Sequence, residues 1–422
     1  MALFSSQQPA PDELLKIWAL LDVRNRQLGW ARFDYADLDS HPWVRATEKS
    51  AIRKLVRYAL RGFDVVAPVP FHTLVRMPKQ VVPTAFYHVG IAYLHRERIG
   101  DWVPTWEADQ ADLVCEAALE RRLKAEHVCW EHPYFAHGAV WKVAGVKDAP
   151  PSCAHHVARV GTLLLEVGKA HARPDLIESG LSAARAMLTY HNWHDYEDGT
   201  CTVSYYPYTD DETINTCADV AVLFASIPSA KRPPECQSRL EAIIRMVLSE
   251  QRADGSWNYC TVRHYAKYGD GRFIDNFHSA QVIQALAKVL QRGDLPMAMV
   301  EEVRLAIEKG LDFYLNHFYR DDGSGYYFPM LKGRLSPIVG YTEGLAAIYW
   351  AIKSGALQHD NVGKRVSALV PKMTAKALEF LDPVTGDVAS TRFLGRNYHL
   401  QSLRWGSGPL MEGLMYAIML TL

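Results

Sequence analysis

The sequence predicts an all-α fold, an (α/α)6 toroid in which six helical hairpins close into a ring, and three observations lead there. The first is a repeat. Helical periodicity resolves into twelve segments. Six begin near Thr47, Asp109, Asp175, Ser238, Met299 and Val362, at spacings of 62, 66, 63, 61 and 63 residues, and six more begin near Pro83, Cys153, Thr213, Phe277, Ile338 and Gly408. A steady period of that length with two helices per unit marks stacked helical hairpins. The second is composition: Ser238 to Glu250 and Met299 to Asn316 carry charge on one face, as outer helices do, whereas Gly340 to Ile352 and Gly408 to Leu420 are apolar nearly all round, as buried inner helices must be. The third is the alternation of joints. Inner-to-outer joints are short and rich in Pro or Gly (Arg173-Pro174-Asp175, Pro228 to Pro234, Gly293 to Pro296), while outer-to-inner joints run to roughly 20–30 residues.

Residues 1–45 hold aromatics and acids without clear periodicity and read as an N-terminal arm; residues 46–422 read as a single toroid domain. In the long joints, Asp198-Gly199, Asp254-Gly255 and Asp322-Gly323 mark sharp turns, with Gly386-Asp387 the matching break in the last unit. All the long joints lead into inner-helix N-termini, so one face of the ring collects loops and positive helix ends together. That face is the expected site. Aromatic clusters fall in the same loops, at Cys129 to Phe135, Tyr205 to Tyr208 and Tyr326 to Phe328, either as packing between hairpins or as platforms for sugar rings or isoprenoid chains.

A formal net charge of -1 with scattered Lys and Arg argues against nucleic acid as a partner, because phosphate binding needs a concentrated basic face. The N-terminus lacks a basic stretch followed by an uninterrupted apolar one, and no run reaches the roughly 18 apolar residues of a membrane span. A soluble, cytoplasmic protein with no transmembrane segment is expected. Seven widely spread cysteines without a CxxC read as reduced, mostly buried thiols. Neither they nor His155-His156 have metal-ligand spacing, so neither a metal nor any other cofactor is expected.

At Gln251-x-x-Asp254-Gly255-Ser256-Trp257 the chain resembles the repeat of the squalene-cyclase and protein-prenyltransferase toroid superfamily, in which a Gln and a Trp tie an outer helix to the next turn. Further runs, Trp30 to Asp34, Met77-Pro78-Lys79, Cys129-Trp130, Val203-Ser204-Tyr205, Phe273 to Ser279 and Arg404-Trp405-Gly406, extend the likeness over most of the chain. Together they resemble toroid proteins encoded in bacterial capsule and O-antigen loci. The resemblance implies a fold and a setting in surface-polysaccharide biosynthesis. It departs from better-known relatives: Thr209-Asp210-Asp211-Glu212 is not the Asp-x-Asp-Asp run of a class II terpene cyclase, and Asp275 and His278 lack the Cys of a prenyltransferase zinc site.

Candidate chemistry gathers at the inner caps. His278, one turn from Asp275, is the candidate general acid or base, with Asp275 fixing its tautomer or capping the helix; Asn276 is the alternative cap and a possible ligand group. Tyr341 and Glu343, opening the fifth inner helix, are the candidate counterparts. Arg404 suits a uronate or phosphate, with Glu412 the alternative buried partner, and Trp405 and Trp257 are candidate platforms or supports. Of the His155-His156 pair only one can face the axis, and His156 is taken as the substrate contact. Asp211 and Asn215 complete the binding set, although Thr209-x-x-Glu212 also has the form of a capping box. These groups suit proton transfer at a sugar, nucleotide sugar or oligosaccharide, by epimerisation, lyase-type elimination or glycoside cleavage. Two other classes stay open: a terpene-cyclase-like or prenyl-binding toroid, and a non-catalytic glycan-binding or scaffold protein.

Overall fold

The computed structural model describes residues 9–34, 68–99, 109–133, 149–292, 295–329, 335–393 and 395–422. In chain order its helices are α1 (Pro11–Leu28), α2 (Pro68–Leu74), α3 (Thr84–Ile99), α4 (Gln110–Glu120), α5 (Ala154–Ala170), α6 (Pro174–Tyr190), α7 (Ile214–Ser226), α8 (Pro234–Ser249), α9 (Val262–Tyr268), α10 (Asn276–Gln291), α11 (Met297–Phe318), α12 (Ile338–Lys353), α13 (Asp360–Leu378) and α14 (Gly408–Met419). The inner ring is α3, α5, α7, α10, α12 and α14, each packed on the next, and α14 returns to α3. The toroid is closed. Every inner helix starts within a residue of its expected position, because an all-round apolar stretch behind a polar loop has one way to bury itself.

Outer helices α4, α6, α8, α11 and α13 pack on the inner helices that precede them. The outer helix expected near Thr47 lies outside the described residues. Against α14 stands α1, within the segment where the sequence reading finds no clear periodicity. It is an amphipathic helix, with Leu14, Leu15, Trp18 and Leu21 buried in the common core. Chain ends therefore meet at this seam: Arg24 pairs with Asp387 at 2.8 Å, and the Ser407 hydroxyl donates to Asn25 at 2.7 Å.

The long joints dock one hairpin on the next by a repeated device. Asp198, Asp254 and Asp322 each accept the backbone N–H two residues on, from Thr200, Ser256 and Ser324, at 2.9, 3.1 and 2.9 Å. At Gly255, φ is +91° and a Cβ would stand 2.4 Å from the Lys309 carbonyl of α11, so only glycine lets the turn sit on its neighbour. Indole N–H groups of Trp130, Trp193 and Trp257 donate to the carbonyls of Ala118, Met187 and Val247, near the ends of α4, α6 and α8. Gln251 ties the Gly255 and Ala306 carbonyls at 3.0 and 2.9 Å. Short antiparallel strands stiffen the same joints: β1 (Trp193–Asp195) pairs with β2 (Cys201–Val203), and β3 (Leu335–Pro337), β4 (Thr391–Phe393) and β5 (Arg396–Tyr398) form a second sheet. All seven cysteines are buried and unpaired, as expected of reduced thiols. No helix among the described residues is long and apolar enough to cross a membrane.

Candidate active site

Polar residues enter the ring axis in a common register. Arg159, Asp219, Gln281 and Glu343 are each the sixth residue of an inner helix, in α5, α7, α10 and α12, and His88 and Glu412 are the fifth residues of α3 and α14. All six are buried. Equal offsets from the helix start put them at one depth, so the six helices bring them together as a layer one turn below the mouth. Arg159 is its hub: Nε donates to Asp219 at 3.2 Å and Nη1 to Glu343 at 2.9 Å, while Gln281 and Gln284 donate to the two Glu343 oxygens at 3.1 Å each. About two turns beyond Gln281 on α10, Lys288 donates to the Tyr87 hydroxyl at 2.7 Å, and burial pushes its ammonium down to about 8.

Burial alone would raise the Asp219 carboxyl; the Arg159 charge and the His155 hydrogen bond outweigh it and hold it at about 2. Glu343 is likewise lowered against burial, mainly by Arg159. Both carboxylates are held ionised, Glu343 through both of its oxygens and Asp219 through Oδ2.

Histidines at and just below the mouth have Nδ1 anchored to a carboxylate: His278 to Asp275 at 2.6 Å, His155 to Asp219 at 2.8 Å and His88 to Glu412 at 2.6 Å. A carboxylate partner selects the Nδ1–H tautomer and leaves the lone pair on Nε2. For His155 and His278, whose side chains are 16% and 19% exposed, Nε2 makes no hydrogen bond among the described residues. Their helices, α5 and α10, flank α7. A cleft of about 10 Å³ beside His278, room for about one water, is lined by Asn215, Trp257, Asn258, Tyr259, Asp275 and Ser279, among others.

Over this layer a π-helical turn, Leu403–Ser407, lays Arg404 and Trp405 across the mouth. Arg404 donates to His132 at 2.8 Å and lies 4.5 Å from the centre of the Trp405 ring; among the described residues it has no carboxylate partner. Trp405 meets Phe277 edge-on at 5.4 Å, and Tyr259 packs on His278 at 4.6 Å. His132 stacks on His156 at 4.7 Å.

Of the residues singled out in sequence, His278, Asp275, Asn215, Arg404 and Trp405 stand at the mouth, and Glu343 stands in the layer beneath. Asp275 serves both roles proposed for it, capping α10 through the His278 N–H at 2.9 Å and anchoring the His278 ring. Others need correction. Tyr341 lies two residues from Glu343, which on a helix turns it away from the axis; its hydroxyl accepts the Gly325 N–H at 2.7 Å. Glu343 is locked to Arg159 and is no free acid. Asn276 uses both ends of its amide, donating to the Tyr326 carbonyl at 3.0 Å and accepting from Tyr314 at 2.7 Å. Trp257 takes the second of its two expected roles, a support and not a platform: it is buried and tied to α8 by the bond described above. Asp211 accepts the Tyr205 N–H and the Thr209 hydroxyl, a loop pin whose carboxyl burial pushes up to about 6. The capping box does not form, since α7 begins at Ile214 with Thr213 as its cap residue. Of the histidine pair, His155 reaches the axis through Asp219, while His156 is buried against the Glu131 carbonyl at 3.1 Å. Arg404 pairs with His132, and Glu412 with His88.

Arg159, Gln281, Gln284, Lys288, His88 and Tyr87 were not singled out in sequence. A signal existed: polar residues at a fixed offset inside otherwise apolar helices, visible once hairpins are aligned by helix start. Outside the axis, Asp109, Asp112 and His171 bring potential metal-ligand atoms within 4.8 Å of one another. Both nitrogens of that histidine already face carboxylates, Asp112 at 3.1 Å and Glu97 at 2.8 Å, and Arg173 stands 3.6 Å from Asp112.

No protein-family model matches the chain, and no curated protein matches it in sequence. Solved structures share its fold. A possible GH105 family member from Salmonella enterica aligns with TM-score 0.62 at 10% identity, over 98% of this chain and 95% of its own. Cellobiose 2-epimerase from Bacillus thermoamylovorans aligns at 0.58 and 11% identity, over 80% and 87%. A glycosyl hydrolase family 88 protein from Bacteroides vulgatus aligns at 0.55 and 10%, over 97% and 98%.

Proposed function

We propose that this protein is a carbohydrate-active enzyme that moves a proton at a sugar carbon, by epimerisation or lyase-type elimination. The observation that carries the proposal is the pair of imidazoles, His155 and His278, each with Nδ1 fixed by a carboxylate and Nε2 open at the mouth. One Nε2 takes the proton from a carbon next to a carbonyl or carboxyl group, the C–H electron pair passing onto that group as an enolate. The other ring enters the step with a proton on each nitrogen and gives its Nε2 proton to the carbon, or to the departing oxygen in an elimination, ending as the neutral imidazole. Arg404 holds a polar or anionic substituent of the sugar, and Trp405 and Tyr259 offer ring faces.

Glycoside cleavage by a carboxylate pair is less well supported. It needs an acid and a base or nucleophile facing one bond, whereas Asp219, Glu343, Glu412 and Asp211 are all held by protein groups. Charged and amide groups along the axis likewise do not suit an isoprenoid chain. The fold shared with a sugar epimerase and with members of glycoside hydrolase families supports a sugar substrate, and the resemblance to capsule and O-antigen proteins supports a cytoplasmic place in surface-polysaccharide assembly.

The test is proton exchange in D2O with neutral and uronic reducing sugars, nucleotide sugars and oligosaccharides, followed by proton NMR. Deuterium should enter one ring position of a substrate, and His155→Ala and His278→Ala should each reduce the rate about 10²–10⁴-fold while keeping the wild-type melting temperature. Undiminished exchange in a folded His278→Ala protein, or no exchange and no elimination with any of these sugars, would overturn the proposal.

A further inference from the structure

On the reading just given, two histidines share the chemistry, and the structure distinguishes them. Asp219 Oδ2 receives both His155 Nδ1 and Arg159 Nε, at 2.8 and 3.2 Å, whereas Asp275 has no Arg or Lys partner among the described residues. We propose that Arg159 is a positioning residue: by sharing that Asp219 oxygen it keeps the His155 ring uncharged and assigns His155, not His278, as the proton acceptor.

The physical reason is competition for one oxygen. A carboxylate alone favours the imidazolium of its partner. A guanidinium on the same oxygen cancels much of that field, yet keeps the carboxylate ionised and able to hold Nδ1–H. Among the described residues, the other charged and titratable groups around His155 are Arg404 from the π-helical turn, His156 on its own helix, the Cys153 thiol just before that helix and Tyr205 from the loop before α7. Burial lowers the His155 imidazole, and Arg159 and Arg404 add to this against the pull of Asp219. Glu343 takes the other arm of the guanidinium, so it moderates the effect.

Histidine titration read by NMR on ¹³C-histidine protein tests this without any substrate, so its outcome is separate from that of the exchange assay. His155→Gln assigns the resonance. Arg159→Met combined with Glu343→Gln removes one positive and one negative charge, leaving the local sum unchanged. The His155 midpoint should rise by about 1 pH unit in that double variant, because Asp219 then acts on His155 unopposed. Glu343→Gln alone should lower it, because the guanidinium is no longer divided. Where turnover is measurable, the rate profile should shift in the same sense. An unmoved midpoint in the folded double variant overturns the assignment. If circular dichroism shows that the double variant is unfolded, Glu343→Gln decides: a lower midpoint supports the proposal and an unchanged one overturns it.

Discussion

His278 and His155 reach the same chemical arrangement by different routes. His278 and its carboxylate lie three residues apart in one helical turn, and the carboxylate also caps that helix. His155 and its carboxylate are separated by 64 residues on neighbouring inner helices, and the carboxylate is shared with a buried guanidinium. The first pair is local and stands on one element. The second exists only because the ring closes at the right register, and its charge is set by a third residue bonded to a fourth across the axis. Two histidines with one kind of partner can thus differ in the charges that share that partner and in sensitivity to damage elsewhere in the fold.

The largest expected effect breaks the long-range pair. Arg159→Met leaves Asp219 and Glu343 buried without their cation, and should cost about 3–5 kcal/mol in chemical denaturation, while the His278 turn is untouched. Next in size is the local pair. Asp275→Asn keeps a good cap for α10, so stability should change by about 1 kcal/mol or less, but the amide can leave His278 in the wrong tautomer and turnover should drop about 10²-fold or more. Stability and turnover measured together separate the two outcomes. Comparable losses of stability in both variants would erase the distinction between local and long-range pairs.

A smaller effect concerns acid. Asp219 is held at about 2 against an ordinary 3.8, so its contribution is fully present above pH 4 and is lost as pH falls through about 2. Denaturation midpoints should fall over that window by an amount worth about 2 kcal/mol, and this part of the decline should vanish in Asp219→Asn. Smallest is Tyr341→Phe, which removes a hydroxyl from the Gly325 N–H outside the axis. It should cost about 1–2 kcal/mol and leave turnover within about twofold of wild type. A large loss of turnover without loss of stability would put Tyr341 back among the reacting groups.

Helix type, the sixfold repeat and the starts of the inner helices were written in the sequence, because apolar period and polar breaks are local properties that burial can satisfy in only one way. Asp275 and His278 were legible for the same reason: both act within one turn. Tertiary structure alone decided the rest. Ring closure set Arg159 between Asp219 and Glu343 and turned an apparent free acid into half of a buried ion pair. It also chose His155 over His156 for the axis. At Tyr341, nearness in sequence to Glu343 hid a turn of the helix that points the two side chains apart. α1 took its place against α14 only through contacts between the two ends of the chain. A carboxylate's chemistry depends on what shares its oxygens, and for Asp219 and Glu343 those partners lie more than fifty residues away.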